Sequence, residues 1–382
     1  MIWVIEISRN KGDIAILTLK SGREFGKKLY DELLSIKKKE KLDFEKSMPW
    51  YKKIIYHTVA KPLMNFMPYD GLEQKIKLID MNTIDFADKE NKVKINETVR
   101  GYDVYLVQLT VDKDSKRSEA DHVMESLFAL NAMRRSVAKG KLNLVMPCLP
   151  YSRQDRREGR ESCNAKVLAN ILSIYIDGLI TTDLHSSQIA EYYPEKVVSV
   201  VPFYASPILI EYVKENYDLK NLMFVSPDAG GLKRAQFFSD RLKTRVAIAS
   251  KDRSYKEVNK VENIFLLGDV KGKDLVVIDD MIDTAGTIEK VVEELKKHGA
   301  REITLMAPHA ILSDPATSRL KSLYNKGNGI IKQVICTDTV KHPAEYLEQN
   351  KDWLKILSVA PLFAKVIYNI NQNLPTSDLY LK

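Results

Sequence analysis

Cysteine is scarce in this sequence, and long apolar runs are absent from it. The three cysteines, Cys148, Cys163 and Cys336, are widely separated and match no metal-binding spacing. We therefore expect free thiols, as in proteins of the reducing cytosol. No segment approaches the apolar length that crosses a bilayer, and the N-terminal residues lack the basic leader and cleavage site of a signal peptide. Together these absences predict a cytoplasmic protein with no membrane partner.

The sequence also lacks a concentrated basic patch, although its formal net charge is +8. Its lysines are scattered, and the densest run, 37–39, lies beside Glu40 and is typical of a solvated helix end. We expect no nucleic-acid partner, because a basic surface that attracts polyphosphate substrates accounts for the charge equally well. Glycine-rich Walker loops and protein-kinase signatures are absent too, so any nucleotide must be bound by dispersed elements.

Strand-like runs alternate with amphipathic helices through most of the 382 residues. The predicted strands include 104–109, 142–146, 179–182, 222–225, 245–249, 275–278 and 303–306, and the predicted helices include 124–138, 165–175, 207–217 and 232–242. This alternation predicts an α/β fold with two doubly wound parallel-sheet domains, whose ligands gather at the carboxyl ends of the strands. We place the N-terminal domain at 1–200 and the C-terminal domain at 201–350. At 351–382 we expect a tail, helical from Trp353 onward, that packs back on the body.

One region, from about Ser35 to Asp80, shows no clear period. It contains Trp50, Tyr51 and Phe66, and this aromatic content argues against disorder. We interpret the region as an insertion in the N-terminal domain. Three interpretations of it stay open: a packed insertion, an oligomer contact, and a cap that faces the substrate.

The most informative segment is 279–287, Asp-Asp-Met-Ile-Asp-Thr-Ala-Gly-Thr. A buried-strand pattern runs into Asp279 and Asp280, which are placed to accept hydrogen bonds from vicinal ribose hydroxyls. The small polar loop that follows allows backbone N–H groups and threonine hydroxyls to converge on a phosphate at a helix N-terminus. The loop residues are Asp283, Thr284, Ala285, Gly286 and Thr287. A phosphate site next to a diol site predicts a phosphorylated ribose as ligand.

Polar residues also follow three other predicted strands, where an α/β ligand site is expected. Arg153 offers a planar guanidinium that stacks on a base or pairs with phosphate, and Gln154 offers an amide. His185 follows the strand at 179–182, and Asp228 follows the strand at 222–225. A fourth strand, at 245–249, leads to Lys251 and Arg253, which open a long polar loop to residue 269.

The segment 279–287 resembles the phosphoribosyl-pyrophosphate loop that type I phosphoribosyltransferases share with ribose-phosphate pyrophosphokinases. The segments around Phe86, Arg153, His185, Asp228 and Lys251 narrow the resemblance to the ribose-phosphate pyrophosphokinase family, whose motifs they follow in order. The resemblance extends from about residue 86 to the C-terminus and, more weakly, includes 21–34. It implies two domains of the type I phosphoribosyltransferase kind.

The resemblance implies that ATP is the nucleotide and that two parts of the chain bind it. Arg153 and Gln154 would contact ATP directly. Phe86 would stack on adenine and Asp88 and Glu90 would accept from its amino group, in the site of a neighbouring subunit. A homo-oligomer with a site shared between subunits follows from this arrangement.

The resemblance also implies the metal contacts and the catalytic cations. His185 and Asp228 would contact Mg²⁺, which keeps few protein ligands; nitrogen ligation of this hard ion is atypical and rests on the resemblance. Lys251 and Arg253 would close over the triphosphate as catalytic residues. Asp85 departs from the family, which usually has Arg there, and 157–162 is about one residue shorter than the family's phosphate-sensing loop.

The implied reaction is Mg²⁺-dependent transfer of the pyrophosphoryl group of ATP to the anomeric hydroxyl of a 5-phosphorylated ribose, most simply ribose 5-phosphate. Three alternatives stay open. The first is the same chemistry on ADP-ribose, motivated by the aromatic insertion, whose rings could stack on a second adenine. The others are a phosphoribosyltransferase and a catalytically silent regulatory homologue.

Overall fold

The computed structural model describes residues 12–47, 74–136, 140–195, 198–251, 264–324 and 329–377. The first of its two large sheets has six parallel strands in the order β2-β1-β5-β6-β7-β8. They are β1 (Asp13–Thr18), β2 (Ile76–Asp80), β5 (Tyr102–Val107), β6 (Leu142–Val145), β7 (Gly178–Thr182) and β8 (Ser199–Phe203). The central strands β6 and β7 are buried along their whole length because helices cover both faces of the sheet.

The second sheet has the order β11-β10-β9-β12-β14-β15-β16, with a short strand β13 paired to β14. These strands are β9 (Leu222–Ser226), β10 (Arg245–Lys251), β11 (Ile264–Leu267), β12 (Asp274–Ile278), β13 (Met281–Ile282), β14 (Glu302–Ala310), β15 (Ile331–Thr337) and β16 (Leu354–Leu357). All pairs are parallel except β10 with β11. This topology confirms the predicted α/β fold with doubly wound parallel sheets. The domain boundaries stay a prediction.

Nine α-helices are present among the described residues, and none of them is long and apolar enough to cross a membrane. They are α1 (Arg23–Ser47), α2 (Glu119–Arg134), α3 (Asn164–Leu172), α4 (Ser206–Asn216), α5 (Leu232–Leu242), α6 (Gly286–Lys297), α7 (Ala316–Tyr324), α8 (Ala344–Asn350) and α9 (Ala360–Asn371). A capping box fixes the start of α2, where Ser118 Oγ accepts from the Asp121 N–H and Asp121 accepts from the Ser118 N–H. A third, two-stranded sheet pairs β3 (Asn82–Asp85) with β4 (Asn91–Lys94).

Three edge elements differ from the sequence expectations. The tail is not helical from Trp353, because Leu354–Leu357 forms β16 and the helix begins at Ala360. The polar loop after Lys251 is interrupted by the antiparallel strand Ile264–Leu267. Of the predicted insertion, the first part continues α1 to Ser47 and the last part is strand β2, while 48–73, with Trp50, Tyr51 and Phe66, lie outside the described residues. Four- and five-residue strands show too few periods to be distinguished from helix or loop.

The two large sheets share one apolar core. Its members include Ile14 and Phe203 of the first sheet and Phe224 of the second. Phe363 of α9 lies at its centre, fully buried, with its ring edge-on to Phe203 at 4.5 Å and to Phe25 of α1 at 5.4 Å between centroids. Packing of this kind fixes the position of one sheet relative to the other.

Candidate active site at the facing strand ends

The carboxyl ends of the two sheets meet through polar contacts. His185, after β7 of the first sheet, lies with Nδ1 2.6 Å from Oδ2 of Asp280, which follows β12 of the second. Below this pair, Nε2 of the buried His309 lies 3.3 Å from the backbone oxygen of Asp183. Residues that are far apart in the chain therefore converge where ligands of α/β sheets bind.

The adjacent acids Asp279 and Asp280 have opposite electrostatic environments. Burial raises the pKa of the Asp279 carboxyl, and the negative charge of Asp280 raises it further. Burial alone would raise the pKa of Asp280 too, but the hydrogen bond from His185 and the charge of Arg234 outweigh it, so its net pKa is lowered. The same hydrogen bond raises the pKa of His185. The hydrogen bond from His185 thus favours the ionised form of Asp280, whereas burial and the charge of Asp280 disfavour the ionised form of Asp279.

Arg234 is a site residue that sequence reasoning missed. It lies in the first turn of α5, and its Nη1 is 3.6 Å from Asp279 Oδ1 and 3.9 Å from Asp280 Oδ1. The only sequence signal is its position shortly after the strand-end residue Asp228. Lys233 precedes it directly, and sequence alone does not decide which of two adjacent cations faces the acids.

The loop 283–287 is shaped for an anion. Ala285 has a left-handed backbone with φ of +59°, and α6 begins at the next residue, so the N–H groups of its first turn face the loop. Arg319 Nη1 donates to the Thr284 oxygen at 2.9 Å. A Cβ at position 286 would lie 3.0 Å from the same Nη1 atom, so a larger residue fits there only if the Arg319 side chain moves slightly. The structure therefore agrees with the predicted turn of small residues at a helix N-terminus.

Arg153 and Asp283 join the sequence-predicted ATP segment to this loop. Arg153 Nη2 lies 2.7 Å from Asp283 Oδ2. Burial raises the pKa of Asp283, but hydrogen bonds from Ser313 and Arg153 outweigh that effect and lower it overall. Gln154 Oε1 accepts from Nδ2 of Asn164 at the start of α3. Both residues are exposed, and Arg153 brings this segment into contact with the loop.

Asp228 lies at the end of β9, the strand that pairs with β12. Its Oδ1 accepts from the Gly231 N–H at 2.7 Å, and its side chain is exposed. Within the described part of the chain, no group of three or more His, Cys, Asp and Glu side chains has the spacing of a metal site. The available donors, carboxylates at a solvent-exposed edge, fit Mg²⁺, which binds through one or two carboxylates plus water and phosphate oxygens.

Two sets of predicted residues are not joined to this cluster. Phe86, Asp88 and Glu90 lie on the turn between β3 and β4, and in the described ranges no hydrogen bond or ion pair connects them to it. Lys251 is the last residue of β10, and Arg253 lies outside the described residues. The roles of both sets stay predictions.

Two buried polar residues beneath the site were also missed. Asp183 has a left-handed φ of +46°, and its Oδ2 accepts from the Thr182 hydroxyl and the Ala205 N–H, both at 2.8 Å. Burial raises the pKa of this carboxyl. The backbone N–H of His309 donates to the backbone oxygen of Asp280, and its Nδ1 lies 2.9 Å from Thr339 Oγ1. A polar residue inside an apolar strand, as His309 is in β14, was the available signal.

Comparisons with known proteins agree with this geometry. Residues 14–175 match the N-terminal domain of ribose phosphate pyrophosphokinase, and residues 207–339 match the phosphoribosyl transferase domain. A ribose-phosphate pyrophosphokinase of Clostridium acetobutylicum is 37% identical over 298 residues, which cover 77% of this chain and 87% of the relative. The chain belongs to the ribose-phosphate pyrophosphokinase family.

Other members are similarly close. The ribose-phosphate pyrophosphokinase of Synechococcus elongatus is 39% identical over 302 residues, 77% of this chain and 84% of its own length. The crystal structure of a phosphoribosylpyrophosphate synthetase from Mycobacterium smegmatis superposes with a TM-score of 0.73 at 27% identity, covering 94% of this chain and 99% of the other. These matches confirm the resemblance and the expected enzyme class, a transferase of the ribose-phosphate pyrophosphokinase type.

Proposed function

We propose that this enzyme transfers the pyrophosphoryl group of ATP to the anomeric hydroxyl of ribose 5-phosphate. The hydroxyl oxygen attacks the β-phosphorus and the bond from that phosphorus to the α–β bridging oxygen breaks. AMP leaves with the bridging oxygen, and the hydroxyl proton passes to solvent. The observation that carries the proposal is the adjacency of the acid pair 279–280 and the anion-binding loop 283–287, because together they fit a diol and a phosphate on one sugar.

Ribose 5-phosphate binds at the end of β12. The loop N–H groups and the hydroxyls of Thr284 and Thr287 take the 5-phosphate. Asp279 and Asp280 accept from the sugar hydroxyls, and charge-assisted hydrogen bonds of this kind are roughly twice as strong as neutral ones. Arg234, near Asp279, and His185, in contact with Asp280, hold the two carboxylates in position.

ATP binds on the side of Arg153 and Gln154. Its adenine meets Phe86, Asp88 and Glu90 of a neighbouring subunit, and Lys251 and Arg253 stabilise the charge that spreads over the transferring group. His185 and Asp228 would hold Mg²⁺, whose charge supplies electrostatic stabilisation of the phosphoryl oxygens. The residues of the chain itself contribute mainly positioning and exclusion of water.

A homo-oligomer is part of the proposal, and the exposed apolar side chains of the first sheet's helices support it. Met124 and Phe128 form one stripe on α2, and Val167 and Ile171 form another on α3. Each pair is spaced four residues apart and so lies on one helix face.

The three free cysteines are buried, which agrees with the expected cytoplasmic environment.

The test is AMP release from ATP and Mg²⁺ by the purified protein, with ribose 5-phosphate or ADP-ribose as acceptor, followed by anion-exchange chromatography. We expect AMP and one new pyrophosphorylated product with ribose 5-phosphate. A reaction without acceptor controls for plain ATP hydrolysis. Product with ADP-ribose alone would assign the larger acceptor, and AMP with neither would contradict the proposal and favour the transferase or regulatory alternatives.

A further inference from the structure

The hairpin β3–β4 stands apart from both large sheets. It carries Phe86, whose side chain is 50% exposed, together with the other two residues proposed to meet adenine. A two-stranded sheet alone is marginally stable in water. Val93 of β4 packs in the first sheet's core, as do Met81 directly before β3 and Ile95 directly after β4. These apolar contacts lie at the base of the hairpin, so the direction of its turn depends on further contacts.

A buried acid on α2 supplies one such contact. Glu125 is 1% exposed, and its Oε1 accepts from Thr83 Oγ1 of β3 at 2.5 Å. The second oxygen, Oε2, accepts from Nε2 of the buried Gln108 at 3.3 Å. A buried carboxylate is costly unless it is paired and hydrogen-bonded, so its position and that of its partners are mutually fixed.

Arg117 completes the connection between helix and hairpin. Its Nη1 lies 2.8 Å from Glu125 Oε1, and its Nη2 contacts Asp85, the last residue of β3. Asp85 directly precedes Phe86. The planar guanidinium holds both acids at fixed angles, which a flexible ammonium group would not do. Arg117 also adjoins the capping box of α2, so its backbone is held by the helix start.

We propose that Arg117, Glu125 and Thr83 are positioning residues that hold the hairpin in the orientation in which its turn binds the adenine of ATP. Asp85 is the partner of Arg117 on the hairpin. The inference rests on the proposed function, since it takes the turn residues to be the adenine contacts. The structure itself supplies the anchoring contacts.

The principal variants are Arg117→Gln and Asp85→Asn. Asp85 is exposed, and Arg117→Gln leaves the buried Glu125 with its hydrogen bonds from Thr83 and Gln108 but without its cationic partner. The matched control is Arg134→Gln, which removes an ion pair with Asp177 of 2.8 Å at the other end of the same helix. Steady-state kinetics give KM for ATP, KM for ribose 5-phosphate and kcat. Hydrogen exchange of the amides at 82–94 reports on the hairpin independently of activity.

We expect Arg117→Gln to raise KM for ATP by roughly tenfold or more, since a hydrogen bond to a charged group is lost. KM for ribose 5-phosphate and kcat stay close to those of the wild type. Exchange at 82–94 becomes faster in Arg117→Gln and Asp85→Asn and is unchanged in Arg134→Gln. Arg117→Lys, which keeps the charge, restores part of the ATP affinity.

A folded, active Arg117→Gln enzyme with unchanged KM for ATP would overturn the proposal. Similar increases in KM for ATP and KM for ribose 5-phosphate together with a fall in kcat would also overturn it, because such changes indicate a general structural role. If the wild-type protein shows no pyrophosphokinase activity, the proposed function is wrong, and the anchoring of the hairpin is tested independently of it. The exchange measurement then still decides the anchoring, and unchanged exchange in Arg117→Gln and Asp85→Asn would refute it.

Discussion

Phe363→Ala should strongly destabilise the protein, because this ring lies where the two sheets share their core. The side chain is fully buried among Phe25 and Phe203. Replacement of a buried Phe by Ala costs about 3–5 kcal/mol, and the lost edge-on ring contacts add about 0.5–1.5 kcal/mol each. Native proteins are stable by only about 5–15 kcal/mol, so the variant should lose a large share of its free energy of unfolding.

Urea unfolding followed by tryptophan fluorescence and far-ultraviolet circular dichroism measures this loss. Leu374→Ala is the control, because Leu374 is 50% exposed just beyond α9, and it should change the free energy of unfolding by less than about 0.5 kcal/mol. A loss below about 1 kcal/mol for Phe363→Ala would refute the reasoning. Two separate transitions of which only one shifts would show that the sheets have independent cores, against the packing described above.

The remaining predictions concern the acceptor site. Asp280→Asn replaces a buried carboxylate that pairs with His185. The lost charge-assisted hydrogen bonds, worth about 1.5–3 kcal/mol, should raise KM for ribose 5-phosphate at least tenfold. An unchanged KM would contradict the proposed role of Asp280 in acceptor binding. Ala285→Val places a β-branched residue at φ of +59°, which costs roughly 1–3 kcal/mol and should lower the melting temperature. Ala285→Gly should be nearly neutral, since relief of that strain offsets the lost buried methyl, about 0.8 kcal/mol. Differential scanning calorimetry distinguishes the two variants.

Much of the fold was predictable because its central strands are buried, mostly apolar segments between amphipathic helices. The bounds of α5 agree with the prediction, and those of the predicted central strands agree within a few residues. Among the strands that were not predicted, the edge strands β11 and β16 have four residues each. Such strands are defined by pairing with a neighbour, and pairing is a tertiary property that periodicity does not contain.

The local structure of the candidate site was predictable where it is contiguous in sequence. The acid pair, the loop and the helix start follow one another in 279–287, and the structure has the predicted turn at the start of α6, while their use stays a prediction. Arg234 and Glu125 belong to ordinary-looking helices, and their importance depends on partners 45 and 42 positions away. A cation or acid on a helix is usually solvated, so no sequence rule separates these two from their neighbours.

The charge balance at the acid pair shows how the proposed acceptor site would favour a sugar. Arg234 lies 3.6 Å from Asp279 and 3.9 Å from Asp280, beyond direct hydrogen-bonding distance, whereas His185 contacts Asp280 alone. Asp279 accepts the Asp280 N–H but, in the described ranges, has no cationic partner at hydrogen-bonding distance. Burial makes an under-compensated carboxylate unfavourable. Under the proposed function, the hydroxyl donors of a bound ribose would relieve that cost. Part of the free energy of acceptor binding would then come from removing the unfavourable electrostatics of the free site rather than from new contacts alone.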